Sequence, residues 1–305
     1  MMTGLRVIFV CCAALFSTGA VAQEGPSPAD AATARLNAAV AERLPIADQG
    51  DFDDARRGKL AEIESGIVLG PDGETVFDVA RFGFLEGDAP PSVNPSLWRQ
   101  SQLLSEHGLF EVTDGIWQVR GYDLANMTVI QGATGWIVID PLLAVETARA
   151  ALDLVNETLG ERQVSAVIFT HSHADHFAGV AGLGAGSDVP VYAPHGFLAE
   201  SVSENLLAGP IMQRRAQLMF GRELPVGPRQ QVGVGLGQAL ATGTQSLRAP
   251  TEEVGAEGGT RVIDGVTFEF LDAAGTEAPA EFVFFLPEKS ALIMSEVTSG
   301  TLHNA

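Results

Sequence analysis

The chain has 305 residues, of which 46% are hydrophobic and 18% are charged, and it contains 34 glycines and 16 prolines. This balance excludes a disordered or fibrous protein and fits one or two globular domains. Its 38 acidic residues outnumber 18 lysines and arginines, which gives a formal net charge of −20. Because nucleic-acid recognition relies on basic patches, this charge argues against a nucleic-acid partner, and an anionic ligand would need a strong local positive charge.

The first 22 residues follow the pattern of a signal peptide for export. A short basic start at residues 1–6 precedes an apolar stretch at residues 7–16, and a small-residue cleavage site at residues 20–22 precedes Gln23. The apolar stretch is shorter than the ~20 residues of a membrane-spanning helix, so we predict no membrane anchor. Both cysteines lie inside this segment, so the mature chain is expected to contain no disulfide. We therefore expect an exported protein, either periplasmic or secreted.

Residues 23–108 are predicted to form an N-terminal extension of helices and a hairpin that packs on the core. Residues 29–43 carry apolar residues at helical spacing, and residues 51–64 predict a second, more polar helix. The apolar runs at residues 67–69 and 75–77 flank a Gly-Pro-Asp-Gly turn, which predicts a β-hairpin.

From about residue 110 the pattern changes to short strands that alternate with helices. Three β-type runs occur at residues 116–120, 127–131 and 136–140, and residues 145–159 have the helical period with a glycine stop. Residues 164–170 are a nearly unbroken apolar run, as expected for a strand covered on both faces. This order predicts a layered α/β core.

The last third of the chain predicts further helices and strands. Residues 203–220 are predicted to be helical with a break at Gly209-Pro210, and their Phe and Leu side chains are expected in the core. Residues 227–259 are rich in Gly, Gln, Thr and Pro and predict a long loop or lid. The remaining apolar runs predict strands at residues 261–263, 266–270, 282–286 and 291–294, the first two as a hairpin.

Three of the six histidines fall within six residues, in the sequence His171-Ser-His-Ala-Asp-His176. They directly follow the predicted buried strand, where a strand end opens into a loop. Imidazole and carboxylate groups are natural zinc ligands, and an i, i+2 pair on an extended chain points two imidazoles to one side. Asp175 and His176 can turn towards a second metal nearby. Because burying four such polar groups without a metal would be costly, this segment predicts a metal site.

This segment is the HxHxDH signature of the metallo-β-lactamase superfamily, and the surrounding sequence resembles the bacterial alkyl sulfatases that hydrolyse dodecyl sulfate. The similarity extends from about residue 94 to the last residue. It is carried by residues 94–100, 107–111, 118–127, 139–142, 202–205, 214–217, 233–237, 275–281 and 301–304. The resemblance implies a metallo-β-lactamase αββα sandwich over residues 109–305. It also implies that the substrate is an anionic alkyl sulfate, which is hydrolysed to an alcohol and inorganic sulfate.

The resemblance further implies a binuclear zinc site. In the family pattern the ligands are His171, His173 and Glu277 for the first ion, Asp175 and His176 for the second, and Glu296 as the bridge. Two zinc ions would lower the pKa of a shared water towards about 7 and so make hydroxide available to attack the ester. Asp175 and Glu296 are expected to have catalytic roles. Only the resemblance distinguishes the two glutamates from Glu281 and Glu288.

Family members continue beyond the position of Ala305, with a last histidine ligand for the second zinc, a helical dimerisation region and a sterol-carrier-like domain. We therefore expect a truncated second half of the sandwich, a weaker second zinc site, and a chain without the region that forms the family's homodimer. Two alternatives remain open: another hydrolase of this fold, such as a lactamase or a phosphodiesterase, and an inactive metal-binding fragment. Carboxylates at Glu277 and Glu296 argue against a lactamase, whose ligands in those places are usually His or Cys.

Overall fold

A computed structural model describes residues 25–299 of the chain. The predicted signal peptide and the matched segment at residues 301–304 lie outside this range. The α-helices are Ala31–Ala41 (α1), Gly50–Arg56 (α2), Pro95–Leu104 (α3), Val145–Leu159 (α4), Phe197–Val202 (α5) and Gly209–Met219 (α6). Shorter 3₁₀ turns occur at Val79–Phe82, Ala174–His176, Val180–Leu183 and Pro287–Lys289, and Ser203–Leu207 is a π-helical turn.

The strands form two large sheets and one hairpin. In chain order they are Lys59–Ala61 (β1), Ile67–Leu69 (β2), Thr75–Asp78 (β3), Gly108–Thr113 (β4), Ile116–Arg120 (β5), Met127–Gln131 (β6), Trp136–Ile139 (β7), Val164–Ile168 (β8), Val191–Pro194 (β9), Glu252–Val254 (β10), Gly259–Ile263 (β11), Val266–Asp272 (β12), Phe282–Leu286 (β13) and Ala291–Ile293 (β14). An eight-stranded sheet has the order β1-β4-β5-β6-β7-β8-β9-β10, β11 to β14 form an antiparallel sheet in chain order, and β2 pairs with β3.

The eight-stranded sheet is apolar on both faces because it lies between two layers. Trp136 and Val138 of β7 pack in one cluster with the buried side of α4, whereas Ile137 and Ile139 pack in a second cluster with the four-stranded sheet. Alternate residues of one strand enter different cores because successive side chains point to opposite faces. The covered strand predicted at residues 164–170 is confirmed as β8, and the layered α/β core is confirmed with it.

The four-stranded sheet contributes an aromatic layer to the second cluster. Phe268, Phe270, Phe282 and Phe284 are buried, with ring centroids 4.8–6.1 Å apart. The outer face of this sheet carries exposed apolar side chains, including Leu271 and Leu292. Within residues 25–299 the layers therefore run helix, sheet, sheet, and the fourth layer of the predicted αββα sandwich does not occur in this range.

The N-terminal segment departs from its prediction at the second helix. That helix was predicted over residues 51–64, but α2 ends at Arg56 and the chain then enters β1. The reason lies at Gly58, which has φ of 76° and on which a Cβ would clash with the carbonyl oxygen of Glu111. β1 pairs with β4, so the segment before the predicted boundary at residue 108 contributes an edge strand to the eight-stranded sheet.

The helices after residue 196 also differ from the expectation. The break predicted at Gly209-Pro210 is confirmed, because the π-helical turn ends at Leu207 and α6 begins at Gly209. The expectation that the Leu side chains of this region lie in the core is wrong, since Leu206, Leu207 and Leu218 are exposed. No helix within residues 25–299 combines the length and the apolar composition that are needed to cross a bilayer.

The Asp123 carboxylate accepts hydrogen bonds from three separate segments of the chain. It is fully buried and accepts hydrogen bonds from the Thr147 hydroxyl (2.6 Å) and from the backbone N–H groups of Leu143 (3.2 Å) and Ala241 (3.3 Å). These donors belong to α4, to the loop before it and to the long loop after residue 227. Burial raises the pKa of Asp123 to about 6 despite these hydrogen bonds. The carboxylate is therefore ionised at neutral pH and serves as a shared acceptor.

Replacing Asp123 with alanine should destabilise the protein by on the order of 3 kcal/mol, because several buried donors would lose their acceptor together. The measurement is the free energy of unfolding in urea at neutral pH. Asp153→Ala is the matched control, since Asp153 is an exposed carboxylate on α4. Equal stability losses in the two variants would contradict the structural role of Asp123.

Candidate metal centre

Each half of the sandwich delivers side chains to one edge of the eight-stranded sheet. β8 ends at Ile168, and the loop that follows carries His171 and His173 before the 3₁₀ turn Ala174–His176. The second half delivers two glutamates: Glu277 lies in the loop between β12 and β13, and Glu296 follows β14. A backbone bridge between His171 and Glu281 brings the two loops together.

The first group of potential ligands surrounds His171. Its Nε2 lies 3.5 Å from Oε2 of Glu277 and 3.7 Å from Oε2 of Glu296. Nδ1 of His173 lies 3.0 Å from the same oxygen of Glu277. One ligand atom from each of these four residues lies within 4.8 Å of the others, a spacing that could hold one metal ion.

The second group surrounds His176 and shares a residue with the first. Nε2 of His176 lies 3.4 Å from Oδ2 of Asp175 and 3.7 Å from Oε2 of Glu296. Glu296 therefore belongs to both groups, and its Oε2 is equally far from the Nε2 atoms of His171 and His176. The structure thus brings together all six residues that the sequence analysis selected.

Several of these atoms are buried without a hydrogen-bond partner. They are Nε2 of His171, Nε2 of His176 and Oε2 of Glu277. Leaving a buried polar atom unpaired costs roughly 1–3 kcal/mol, and three such atoms converge on one small volume. Imidazole nitrogens and carboxylate oxygens are the donors that a zinc-type ion prefers. The residues therefore fit a metal site.

A hydrogen-bond chain fixes which imidazole nitrogens face this volume. Asp140 accepts a hydrogen bond from the Thr170 hydroxyl (2.7 Å) and another from Nδ1 of His176 (2.9 Å). Because the Thr170 proton is donated to Asp140, the Thr170 oxygen is available to accept from Nδ1 of His171, 3.0 Å away. The Ser295 hydroxyl lies 2.9 Å from the same nitrogen. Nδ1 of each ring is therefore engaged on the side away from the cluster, and Nε2 is the nitrogen that faces the other potential ligands.

His173 faces the cluster with Nδ1 instead of Nε2. Its Nδ1 faces Glu277, and its Nε2 lies 3.5 Å from Oε2 of Glu204, in the π-helical turn. The glutamates thus restrain both sides of the ring, and Nδ1 is the nitrogen turned towards the metal-binding volume.

Backbone strain accompanies the site. Asp140, Leu142 and Ser295 have φ values of 53°, 63° and 51°, in a region that non-glycine residues rarely adopt. Leu142 is the least tolerant of the three, since a branched aliphatic residue gains no local hydrogen bond there. Such strain concentrates at functional sites, where surrounding contacts hold it in place.

The pKa values of the three imidazoles shift in different directions. Burial and the neighbouring imidazoles lower the pKa of His171 well below its usual value. Burial would also lower the pKa of His173, but the Glu277 carboxylate, 3.0 Å from its Nδ1, and the charges of Glu204 and Asp175 raise it to about 9. Burial likewise opposes the rise at His176, where Asp175 and Asp140 nevertheless raise the pKa well above its usual value.

Asp175 responds to the same interactions in reverse. Burial would raise the pKa of its carboxyl, but the neighbouring His176 and His173 lower it. Asp175 is therefore a fixed anion in the metal-free chain, paired with a protonated imidazole.

Four supporting residues were not identified from the sequence. Asp140, Glu204 and Glu281 fall inside segments that carry the family resemblance, and this position in the sequence could have indicated them. Ser295 had no comparable signal, because its contact with His171 depends on where β14 ends.

Glu281 is the most informative of these residues. Its side chain is fully buried, and its Oε2 accepts hydrogen bonds from the Thr276 hydroxyl (2.8 Å) and the backbone N–H groups of Glu277 (3.0 Å) and Ala278 (3.2 Å). The carboxylate therefore shapes the turn that presents Glu277. Glu288 has no such role: its carboxylate lies on the exposed surface and accepts a hydrogen bond from the Thr267 hydroxyl.

The three remaining histidines lie apart from the cluster or outside the described range. His195 is exposed and pairs with Glu253 (2.9 Å), and the ring of His107 packs edge-on against Tyr122. His303 lies outside residues 25–299.

Comparisons with known proteins show relatives along most of the chain. A family model described as the metallo-beta-lactamase superfamily matches residues 120–206. A linear primary-alkylsulfatase from Pseudomonas sp. is 47% identical over 290 residues, which cover 93% of this chain and 43% of the relative. An alkyl/aryl-sulfatase from Saccharomyces cerevisiae is 42% identical over 278 residues, which cover 89% of this chain and 43% of the relative.

A solved structure with a similar fold also has an alkylsulfatase as its subject. It is a stereoselective inverting sec-alkylsulfatase from Pseudomonas sp., with a TM-score of 0.83 and 43% sequence identity. The match covers 87% of this chain and 43% of that chain. The present chain therefore spans less than half the length of the relatives that it matches.

Replacing Glu281 with alanine should release the turn that carries Glu277. Because two backbone N–H groups would lose their acceptor, the amides of Glu277 and Ala278 should exchange with solvent about tenfold faster or more. Residue-resolved hydrogen exchange measures this effect without any metal or substrate. Glu288→Ala is the control, and unchanged protection at both amides in Glu281→Ala would contradict the assignment.

Proposed function

The chain belongs to the metallo-β-lactamase superfamily and is related to its alkylsulfatases, and from this premise we propose that it hydrolyses alkyl sulfate esters to an alcohol and inorganic sulfate. The observation that carries the proposal is the double cluster of ligands that share Glu296. The proposed partner is therefore a small anionic alkyl sulfate. We also propose export to the periplasm or beyond, which the signal-peptide pattern of residues 1–22 supports.

We assign two zinc ions to the cluster. The first would be held by His171, His173 and Glu277, the second by Asp175 and His176, and Glu296 would bridge them. Bound zinc would supply positive charge for the sulfate oxygens and the Lewis acidity that lowers the pKa of a water molecule. The unpaired buried atoms of His171, His176 and Glu277 support this assignment.

The surrounding residues prepare the ligands before any ion arrives. Asp140 and Thr170 engage the Nδ1 atoms, so that His171 and His176 each turn Nε2 in a fixed direction towards the cluster. Glu204 restrains His173 from the far side of its ring. This preorganisation keeps the donor atoms from turning away to solvent.

Asp175 and Glu296 are the residues that we place next to the reaction. Oδ2 of Asp175 and Oε2 of Glu296 lie 3.4 and 3.7 Å from Nε2 of His176. Both oxygens can accept a hydrogen bond from an attacking water and thereby orient it towards the ester. Because the pKa of Asp175 is lowered, this acceptor remains ionised at neutral pH.

Charge balance explains why an acidic protein would use metals for this substrate. The chain carries a formal charge of −20, and the cluster itself adds Asp175, Glu277 and Glu296 around the substrate position. Without cations an anionic ester would be repelled from this site. Two divalent ions outweigh three carboxylates and make the local field attractive.

Substitution of a single ligand tests the proposal. Asp175→Ala and His171→Ala should each lower zinc affinity and sulfate release together, by on the order of 100-fold or more, because each removes a direct ligand. Metal analysis after dialysis and sulfate release from dodecyl sulfate are the two measurements. His195→Ala is the matched control, since His195 is exposed and outside the cluster.

The assay includes a β-lactam and an aryl phosphodiester beside dodecyl sulfate. Turnover of either compound in place of the sulfate ester would contradict the proposed substrate class. Sulfate release by a variant that retains no metal would contradict the proposed role of zinc.

The protonation of the metal-free site sets a pH dependence for zinc binding. His173 has a pKa of about 9, and zinc binds only the unprotonated imidazole. At neutral pH binding must therefore displace a proton, and the contribution of His173 makes the apparent affinity rise about tenfold per pH unit until its pKa is reached. Calorimetric titration in two buffers with different ionisation enthalpies counts the released protons. Zinc affinity that does not change between about pH 7 and 9 would contradict this ionisation.

A further inference from the structure

The segment that follows α5 carries large apolar side chains that are exposed to solvent. It consists of residues 203–224, which we call the arm, and it contains the π-helical turn and α6. Leu207 is 78% exposed, Ile211 is 73% exposed and Leu218 is 86% exposed. Such exposure of large aliphatic side chains along one short segment indicates a surface that contacts something apolar.

The exposed face of α6 combines aliphatic and cationic side chains in a regular pattern. Four residues spaced i, i+3, i+4 and i+7 share this face: Ile211, Arg214, Arg215 and Leu218. Met212 and Ala216 are half-buried and lie on the other side of the helix. The face that points to solvent is therefore the one that carries both hydrocarbon and positive charge.

This region is locally basic in a strongly acidic chain. Residues 203–224 contain three arginines and two acidic residues, whereas the whole chain has a formal charge of −20. None of the three arginines forms an ion pair with a carboxylate within residues 25–299. Their charges are therefore available to an anion from outside the molecule.

The arm begins next to the metal centre. Glu204, in its first turn, lies 3.5 Å from Nε2 of His173, and Leu206 and Leu207 follow in the same turn. A molecule that is bound along the arm would be held close to the site of the proposed reaction.

We propose that the arm docks the chain on aggregates of its own anionic substrate, the micelles of alkyl sulfate. This inference rests on the proposed function. Ile211 and Leu218 enter the alkyl layer, while the arginine side chains lie along it and pair with sulfate headgroups at its surface. The long arginine stems allow this arrangement, since their methylene groups cover apolar surface and their charges remain in water.

Charge complementarity favours this occupant over a second copy of the chain. Two copies would approach each other with a formal charge of −20 each and would repel at long range. An alkyl sulfate micelle is anionic as well, but its surface combines anionic headgroups with accessible hydrocarbon, the two chemistries that pair with the exposed arginines and aliphatic residues of α6. The arm is thus complementary to it in both properties.

The experiment uses the full chain and a micelle that cannot be hydrolysed. The micelles are mixtures of dodecyl maltoside with a minority of dodecanesulfonate, which has a carbon–sulfur bond in place of the sulfate ester. Sedimentation velocity measures the fraction of protein that is bound to them. We expect binding to the mixed micelles and little binding to dodecyl maltoside alone. The double variant Ile211→Ser, Leu218→Ser should lose about tenfold or more in affinity. The double variant Arg214→Gln, Arg215→Gln should lose a similar factor together with most of the salt dependence.

The helix α1 provides a matched control. Arg35 and Leu36 are exposed on it, with Leu36 at 69%, and the variant Arg35→Gln, Leu36→Ser removes the same residue types. Equal losses in the control and the arm variants would overturn the proposal, as would arm variants that bind like the natural chain. Arm variants that only change a dimer into a monomer would assign the face to a second copy. Tighter binding to phosphatidylglycerol vesicles than to the sulfonate micelles would assign it to a lipid surface.

A separate variant keeps this inference apart from the proposed hydrolysis. Asp175→Asn removes a residue of the metal centre and should bind the sulfonate micelles like the natural chain. If the natural chain binds the micelles through the arm but releases no sulfate from dodecyl sulfate, the proposed function is wrong and the arm assignment stands. If sulfate is released while the arm variants bind micelles normally, the arm assignment is wrong and the function stands.

Discussion

The metal centre depends on one backbone contact between the two halves of the sandwich. His171 pairs with Glu281, and the adjacent N–H of Phe282 donates to the carbonyl oxygen of Thr170 at 3.0 Å. This contact fixes the distance between the histidine loop of the first half and the glutamate loop of the second. At the opposite edge the Asp264 carboxylate accepts from Thr134 and Gly135, so the sandwich is held together at both ends. The phenylalanine layer between these contacts supplies the apolar burial that keeps the sheets in register.

The burial and charge of the potential ligands favour the binding of cations. His171 and His176 are buried and the other ligands are partly buried, which weakens their hydration, and the carboxylates offset part of that cost by raising the pKa values of His173 and His176. His171 is different, because burial and the neighbouring His176 and His173 lower its pKa. The same arrangement that destabilises the metal-free site directs nitrogen and oxygen atoms at one volume, where a metal could replace the protons. Stability and ligand geometry thus have a common origin in the hydrogen bonds of Asp140 and Thr170.

The sequence predicted the parts of the structure that follow from local pattern. The period of α4, the doubly covered β8 and the hairpin of β11 and β12 all depend on residues close together in the chain, and all are confirmed. The premature end of α2 was not predictable in this way, because it depends on the approach of Glu111 to Gly58 from a distant strand. The histidine segment was evident from spacing alone, whereas Glu277 and Glu296 required the family resemblance. Glu204 and Ser295 act through tertiary contacts that no spacing in the sequence encodes.

The distribution of charge connects the metal centre with the arm. An acidic surface keeps the protein soluble and disfavours anions at long range, so any attraction for an anionic ester has to be local. The ligand cluster can supply it only when it holds cations, whereas the arginines of α6 supply it permanently through fixed side chains. Screening in water limits each source to about 10 Å, which is why their proximity through Glu204 matters more than the overall charge. The proposed function and the proposed docking thus place the positive charges of an acidic chain at the two positions that an anionic amphiphile would contact, the ligand cluster and the arm.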